Sequence, residues 1–84
     1  MIQKAQTTAS KELPVLRKGD TGGAVKLLQN ILISLGYFDK DLRTGNFLDQ
    51  TEQAVKNFQG EYNLQVDGIV GAKTWDLLGG VLWD

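Results

Sequence analysis

A block of residues occurs twice in this chain. Thr21, Ala24, Val25, Lys26 and Gln29 return as Thr51, Ala54, Val55, Lys56 and Gln59, at a constant offset of 30 residues. Leu28 is answered at that offset by Phe58. A looser echo links the second copy to a third segment: Phe47 precedes Thr51, and Val70 precedes Thr74, each by four residues. Two full copies and a fragment are too few for a solenoid, which needs at least three stacked units. They suit a pseudo-symmetric bundle, in which two related helices pack together and a third closes the side.

The periodicity of each copy predicts helix. Val25, Leu28, Ile31, Leu32 and Leu35 recur at spacings of three and four, which puts them on one face. Asp20 or Thr21 is expected to cap this first helix, and Gly36 to end it near Leu35. Asp49 and Glu52 have capping-box spacing, with Asp in place of Ser or Thr. The second helix then carries Ala54, Val55, Phe58 and Tyr62 on its inner face. A third, brief helix is expected from about Ala72 to Leu78, with Trp75 and Leu78 inward and Gly79 and Gly80 as its stop. Residues 81–84 read as a short tail, and residues 1–12 as a polar, flexible linker. Between linker and first helix stands the only proline, Pro14, so an extended lead-in packing Leu13 or Val15 onto the core is expected. The fold class is all-α, a compact three-helix bundle over residues 13–80.

Composition narrows the chemistry. With no histidine and no cysteine among 84 residues, the commonest general base, thiolate and imidazole metal ligands are missing. No cofactor or metal site is expected. Nine basic and ten acidic residues give a net charge of -1, so nothing points to nucleic acid. No apolar run approaches the roughly 20 residues that span a bilayer. Met1 to Ser10 lacks the apolar stretch of a signal peptide, so the chain is expected either to remain in the cell or to be part of a longer exported one.

The ordered series Leu16-Arg17-Lys18-Gly19-Asp20, Gly22, Ala24-Val25-Lys26, Leu28-Gln29 and Leu35-Gly36-Tyr37 resembles the first half of the peptidoglycan-binding domain of cell-wall hydrolases. Thr51-Glu52, Ala54-Val55, Phe58-Gln59, Leu64, Val66-Asp67-Gly68-Ile69-Val70-Gly71, Thr74-Trp75 and Leu77-Leu78 resemble its second half. The likeness runs from about Leu13 to Leu78. Two positions depart from the family pattern. Leu48 stands where glycine is usual, which alters the turn at Asn46 to Asp49, and Ala72 replaces a frequent first-turn proline.

The resemblance implies non-catalytic binding of peptidoglycan, through glycan or stem peptide, by a monomeric module that targets an attached or associated wall-acting enzyme outside the cytoplasm. The alternative is a structural or regulatory protein-interaction domain on the same fold. The related prodomains of some extracellular metalloproteases block zinc with a cysteine, which this chain lacks.

Tyr37, Gln59, Asp67 and Thr74 are the candidate ligand contacts, each weighed against a structural role. Gln29 and Gln59 border the buried face, where a glutamine is expected to hydrogen-bond the backbone of a loop. Asp67 before Gly68 suits a tight turn. Thr21, Thr51 and Thr74 near helix starts suit caps. Trp75 suits the core, while Tyr37 after Gly36 has a polar tip to present. Asp49 with Asp67 is the carboxylate pair available to a glycosidase, but a cap and a turn account for them better, and catalysis is not expected.

Overall fold

The computed structural model describes residues 13–83; the expected linker, residues 1–12, and Asp84 lie outside them. Three α-helices follow in order: α1 at Gly23–Ser34, α2 at Asp49–Glu61 and α3 at Ala72–Trp83. A single 3-10 turn at Lys40–Leu42 sits between α1 and α2. Helix α1 packs against both α2 and α3. The all-α bundle read from the repeat is the fold observed. Among the described residues no helix is long and apolar enough to cross a membrane.

The core is the inner stripe of each helix plus one residue from each connection. Val25, Leu28 and Leu32 of α1 meet Ala54, Val55 and Phe58 of α2 and Trp75 and Leu78 of α3. Leu16, Phe47 and Val70 complete it from the loops. Tyr62 does not join them: it lies one residue past α2 and is 37% exposed.

Both repeated helices end in the same way. After α1, the Tyr37 N–H donates to the Leu32 carbonyl at 2.8 Å and the Gly36 N–H to that of Ile33 at 3.0 Å. After α2, the Leu64 N–H donates to the Gln59 carbonyl at 2.8 Å and the Asn63 N–H to that of Gly60 at 3.3 Å. These are paired Schellman closures, and each needs a left-handed residue: Gly36 at φ 88° and Asn63 at φ 61°.

The helix starts differ from expectation. Neither Asp20 nor Thr21 caps α1, whose N-cap is Gly22. The Asp20 carboxylate instead accepts the Arg17 N–H at 2.9 Å and closes the turn before it. The Asp49–Glu52 capping box does not form: Leu48 is the N-cap, in extended backbone, and Asp49 is already helical. Its carboxylate pairs with Lys18 across the surface, which raises the lysine pKa and lowers that of Asp49, in both cases chiefly through their hydrogen bond. Leu48 is accommodated without glycine because its φ of -115° is open to any residue.

Gly79 and Gly80 do not stop α3, which continues to Trp83. Each glycine costs about 1 kcal/mol in a helix interior. Burial on both sides offsets that cost: Leu78 is fully buried and Val81 packs against the core.

The lead-in is a clasp. Leu16 pairs with Val70 in an antiparallel bridge, exchanging hydrogen bonds of 3.1 and 2.8 Å. Three residues on, the Gly19 N–H donates to the Phe47 carbonyl and the Phe47 N–H to that of Asp20, both at 2.9 Å. Thr21 then bridges to Asn46. The Trp75 indole N–H donates to the Pro14 carbonyl at 2.8 Å, tying the start of the lead-in to α3. One extended segment thereby fastens the turn before α2 to the turn before α3. Leu16 and Leu13 supply its apolar contacts, while Val15 points outward at 53% exposure.

Candidate functional site

The repeated glutamines organise the two turns that the lead-in fastens. Gln29 is fully buried on α1. Its Oε1 accepts the Gly45 N–H at 2.9 Å, and its Nε2 donates to the Asn46 carbonyl at 3.1 Å and to Thr51 Oγ1 at 3.0 Å. Gln59 repeats the pattern on α2. Its Oε1 accepts from the N–H groups of Asp67 and Gly68 at 3.1 and 3.0 Å. Its Nε2 donates to the Ile69 carbonyl and Asp67 Oδ1, each at 3.0 Å, and to Thr74 Oγ1 at 3.3 Å. A buried amide offers two N–H groups and two lone pairs, so this residue is fully engaged.

The two turns are alike residue by residue. Thr44-Gly45-Asn46-Phe47 corresponds to Asp67-Gly68-Ile69-Val70. The first member of each accepts the N–H of the third through its side chain: Thr44 Oγ1 from Asn46 at 3.2 Å, and Asp67 Oδ1 from Ile69 at 2.9 Å. The glycine is left-handed in both, at φ 84° and 74°. Each also lies under the lysine of the repeat. A Cβ on Gly45 would come 3.3 Å from Lys26 Cγ, and one on Gly68 would come 3.2 Å from Lys56 Cε and only 2.9 Å from Glu52 Cγ. Thr51 and Thr74 close the motif from the third residue of their helices, buried and bonded to glutamine rather than capping a helix end.

The second turn borders an open groove of about 290 Å³. Gln59, Asp67 and Thr74 line it, together with Leu64, Ile69 and Lys73. Three of the four expected contact residues are therefore brought together. Their accessibility differs. Asp67 is exposed, whereas Gln59 and Thr74 are 1% and 5% exposed and form the floor. Lys73, exposed in the first turn of α3, is the groove's cationic side chain; sequence reasoning did not single it out. The repeat did not mark it, because the equivalent position before Thr51 holds Gln50. Leu64 and Lys73 also line an adjoining, shallower depression with Asp76 and Leu77.

Tyr37 lies outside this groove. Its ring meets Phe58 edge-on at 5.5 Å between centroids, and its hydroxyl donates to Glu61 Oε1 at 2.7 Å. Burial of the ring, then the carboxylate beside it, pushes its pKa up to about 12. Trp75, 3% exposed, belongs to the core as expected. The Asp49 carboxylate is engaged in an ion pair with Lys18, and Asp67 Oδ1 in its turn.

Residues 21–78 match the model of the peptidoglycan binding domain family. The chain is 44% identical over 63 residues to an uncharacterised protein of Kitasatospora aureofaciens, covering 74% of this chain and 52% of that protein. It is 41% identical over 61 residues to the N-acetylmuramoyl-L-alanine amidase CwlL of Bacillus licheniformis, covering 71% of this chain but 17% of the amidase. The crystal structure of the SleB N-terminal domain superposes with a TM-score of 0.80 at 34% identity, covering 84% of this chain and 96% of that domain. The chain thus spans about half of one relative and about a sixth of the amidase, and nearly all of the isolated domain. It belongs to the peptidoglycan binding domain family found in cell-wall amidases and hydrolases.

Proposed function

We propose that this member of the family binds peptidoglycan without chemistry of its own, through the groove between the Asp67–Gly71 turn and the first turn of α3. The observation that carries the reading is the convergence of Gln59, Asp67 and Thr74 on that groove with Lys73 and Leu64 at its edge. In the pseudo-equivalent first turn, α2 begins with Asp49, and Glu52 follows in its first turn; α3 begins Ala72-Lys73, with no acid in its first turn. The groove therefore combines an exposed carboxylate, an exposed ammonium and an apolar wall. That is the mixture a polar polymer of sugars and short peptides requires.

Gln59 and Thr74 act as positioning residues, since their polar atoms are spent inside the fold. Asp67, through its free Oδ2, and Lys73 make the ligand contacts. The module works as a monomer and acts outside the cytoplasm. Its contribution to an attached hydrolase is effective concentration: a tethered domain makes the enzyme's encounter with the wall intramolecular.

Co-sedimentation with purified cell-wall sacculi tests the reading. The wild-type domain pellets with the wall, and Lys73→Ala pellets several-fold less while keeping its melting temperature. A domain that stays in the supernatant across salt and pH, yet recovers one protein partner by pull-down, would establish the protein-interaction role instead.

A further inference from the structure

The groove at Asp67 does not end at Lys73. Beyond that side chain lies the shallower depression, of about 310 Å³, lined by Leu64, Lys73, Asp76 and Leu77. Leu64 and Lys73 line both hollows, so the two form one cleft with those side chains at the join. Each part alone lies near the lower end of ligand pockets, roughly 300–1,000 Å³, and together they fall within that range.

The chemistry changes along the cleft. At the groove end Asp67 is exposed, with Oδ1 spent on its turn and Oδ2 without a partner among the described residues. Lys73 stands exposed at the join and Asp76 exposed in the depression. Neither belongs to an ion pair among the described residues, where the one pair is Lys18–Asp49. The charges therefore run carboxylate, ammonium, carboxylate. Leu64 and Leu77, half-buried and packed on the core, give the depression an aliphatic wall.

That pattern sorts the two halves of the wall polymer. A carboxylate only accepts hydrogen bonds, and an ammonium only donates them. The end of a peptide answers both within two residues: its amide N–H groups suit Asp67 and Asp76, and its carboxylate suits Lys73. Charge-assisted bonds of this kind are roughly twice as strong as neutral ones. A neutral sugar brings no charge to Lys73, and no described residue lining the cleft offers it an aromatic face to stack on.

On the reading that this groove binds peptidoglycan, we propose that the cleft takes the peptide of the wall and not its sugar chain. Lys73 holds a free peptide carboxylate, and Leu64 and Leu77 cover the small alkyl side chain beside it.

The test is an NMR titration of the isotope-labelled chain with N-acetyl-D-alanyl-D-alanine, with its C-terminal amide, and with chitotetraose as a neutral glycan. Saturable shifts at Lys73, Asp76 and Leu77 are expected with the free acid. Affinity should fall about tenfold for the amide, and by a similar factor for the free acid in Lys73→Gln, the loss of roughly one charge-assisted contact. Chitotetraose should leave those amides in place. Equal affinities for acid and amide, an unchanged response in Lys73→Gln, or no saturable response to the free acid would overturn the proposal. Chitotetraose shifting Lys73, Asp76 and Leu77 would also overturn it, yet would leave the groove as the wall-binding site. Pelleting with intact sacculi reports that reading separately, so each fails on its own evidence.

Discussion

Gln59 holds Asp67 by both its carboxylate and its backbone: Nε2 donates to Oδ1 at 3.0 Å while Oε1 accepts the Asp67 N–H at 3.1 Å. The residue that shapes the groove is therefore gripped from inside the core. Asp67 presents its remaining oxygen outward only while that grip lasts.

Replacing Gln59 with leucine should be severe. It strands the Gly68 N–H, which is buried, and the Ile69 carbonyl, and it leaves Thr74 without its donor. Each unsatisfied buried group costs about 1–3 kcal/mol, so a loss of roughly 3–5 kcal/mol is expected. A chain of this size has about 4–12 kcal/mol in total. Urea unfolding of Gln59→Leu should show a large drop in midpoint. The equivalent change at Gln29 should cost nearly as much, because the same three kinds of partner are lost.

The two turn glycines should differ in a predictable order. Both occupy left-handed backbone, where a side chain costs about 1–2 kcal/mol. Gly68→Ala adds a 2.9 Å clash with Glu52 Cγ, whereas Gly45→Ala meets Lys26 Cγ at 3.3 Å. Thermal melts should place Gly68→Ala well below Gly45→Ala, and both below wild type.

The Tyr37 phenol should titrate late. Its pKa is raised to about 12 by burial and by Glu61, so in the folded protein it stays protonated past the ordinary value near 10. A raised pKa means that the folded state holds the proton more tightly. The associated stability is complete below pH 10 and is lost as pH climbs toward 12. The Tyr37 ring carbons, followed by NMR against pH, should report this. Glu61→Gln should move the midpoint only part of the way back, because burial is the larger cause.

The Lys18–Asp49 pair is solvent-exposed and should matter little to stability. Its signature is in titration. The Asp49 pKa is depressed, so its share of stability is present above the usual carboxylate range and fades as pH falls through the folded value. Carboxyl carbon titration of Lys18→Met should return Asp49 toward the ordinary range, with a smaller wild-type shift at high salt.

Much of this architecture was legible in the residues. The period-3.6 stripes gave α1 and α2, and the duplicated block pointed to pseudo-symmetry. The position of Gln29 and Gln59 beside the buried face identified them as loop holders, which they are. Helix starts were not legible. Asp20 and Asp49 have side chains that suit a cap, but a nearby turn and a lysine from the lead-in compete for them. The extent of α3 was hidden as well: a glycine pair is a local stop signal, and the tertiary burial of Leu78 and Val81 overrides it. Of the candidate site, Gln59 and Thr74 were found because they sit in the repeat and its echo, and Asp67 because it precedes Gly68 in a turn. Lys73 was not, since a lone lysine carries no signal until the turn of α3 brings it to the groove's edge.

On the reading proposed above, peptidoglycan enters the groove at Asp67 and Lys73. Titrating the isotope-labelled domain with soluble muropeptide and following amide shifts tests it most directly. Saturable shifts should cluster at Leu64, Asp67, Lys73 and Thr74, and should vanish in Lys73→Ala while the rest of the spectrum is unchanged. A ligand that shifts only residues remote from this groove, or leaves every amide in place at millimolar concentration, would contradict the account.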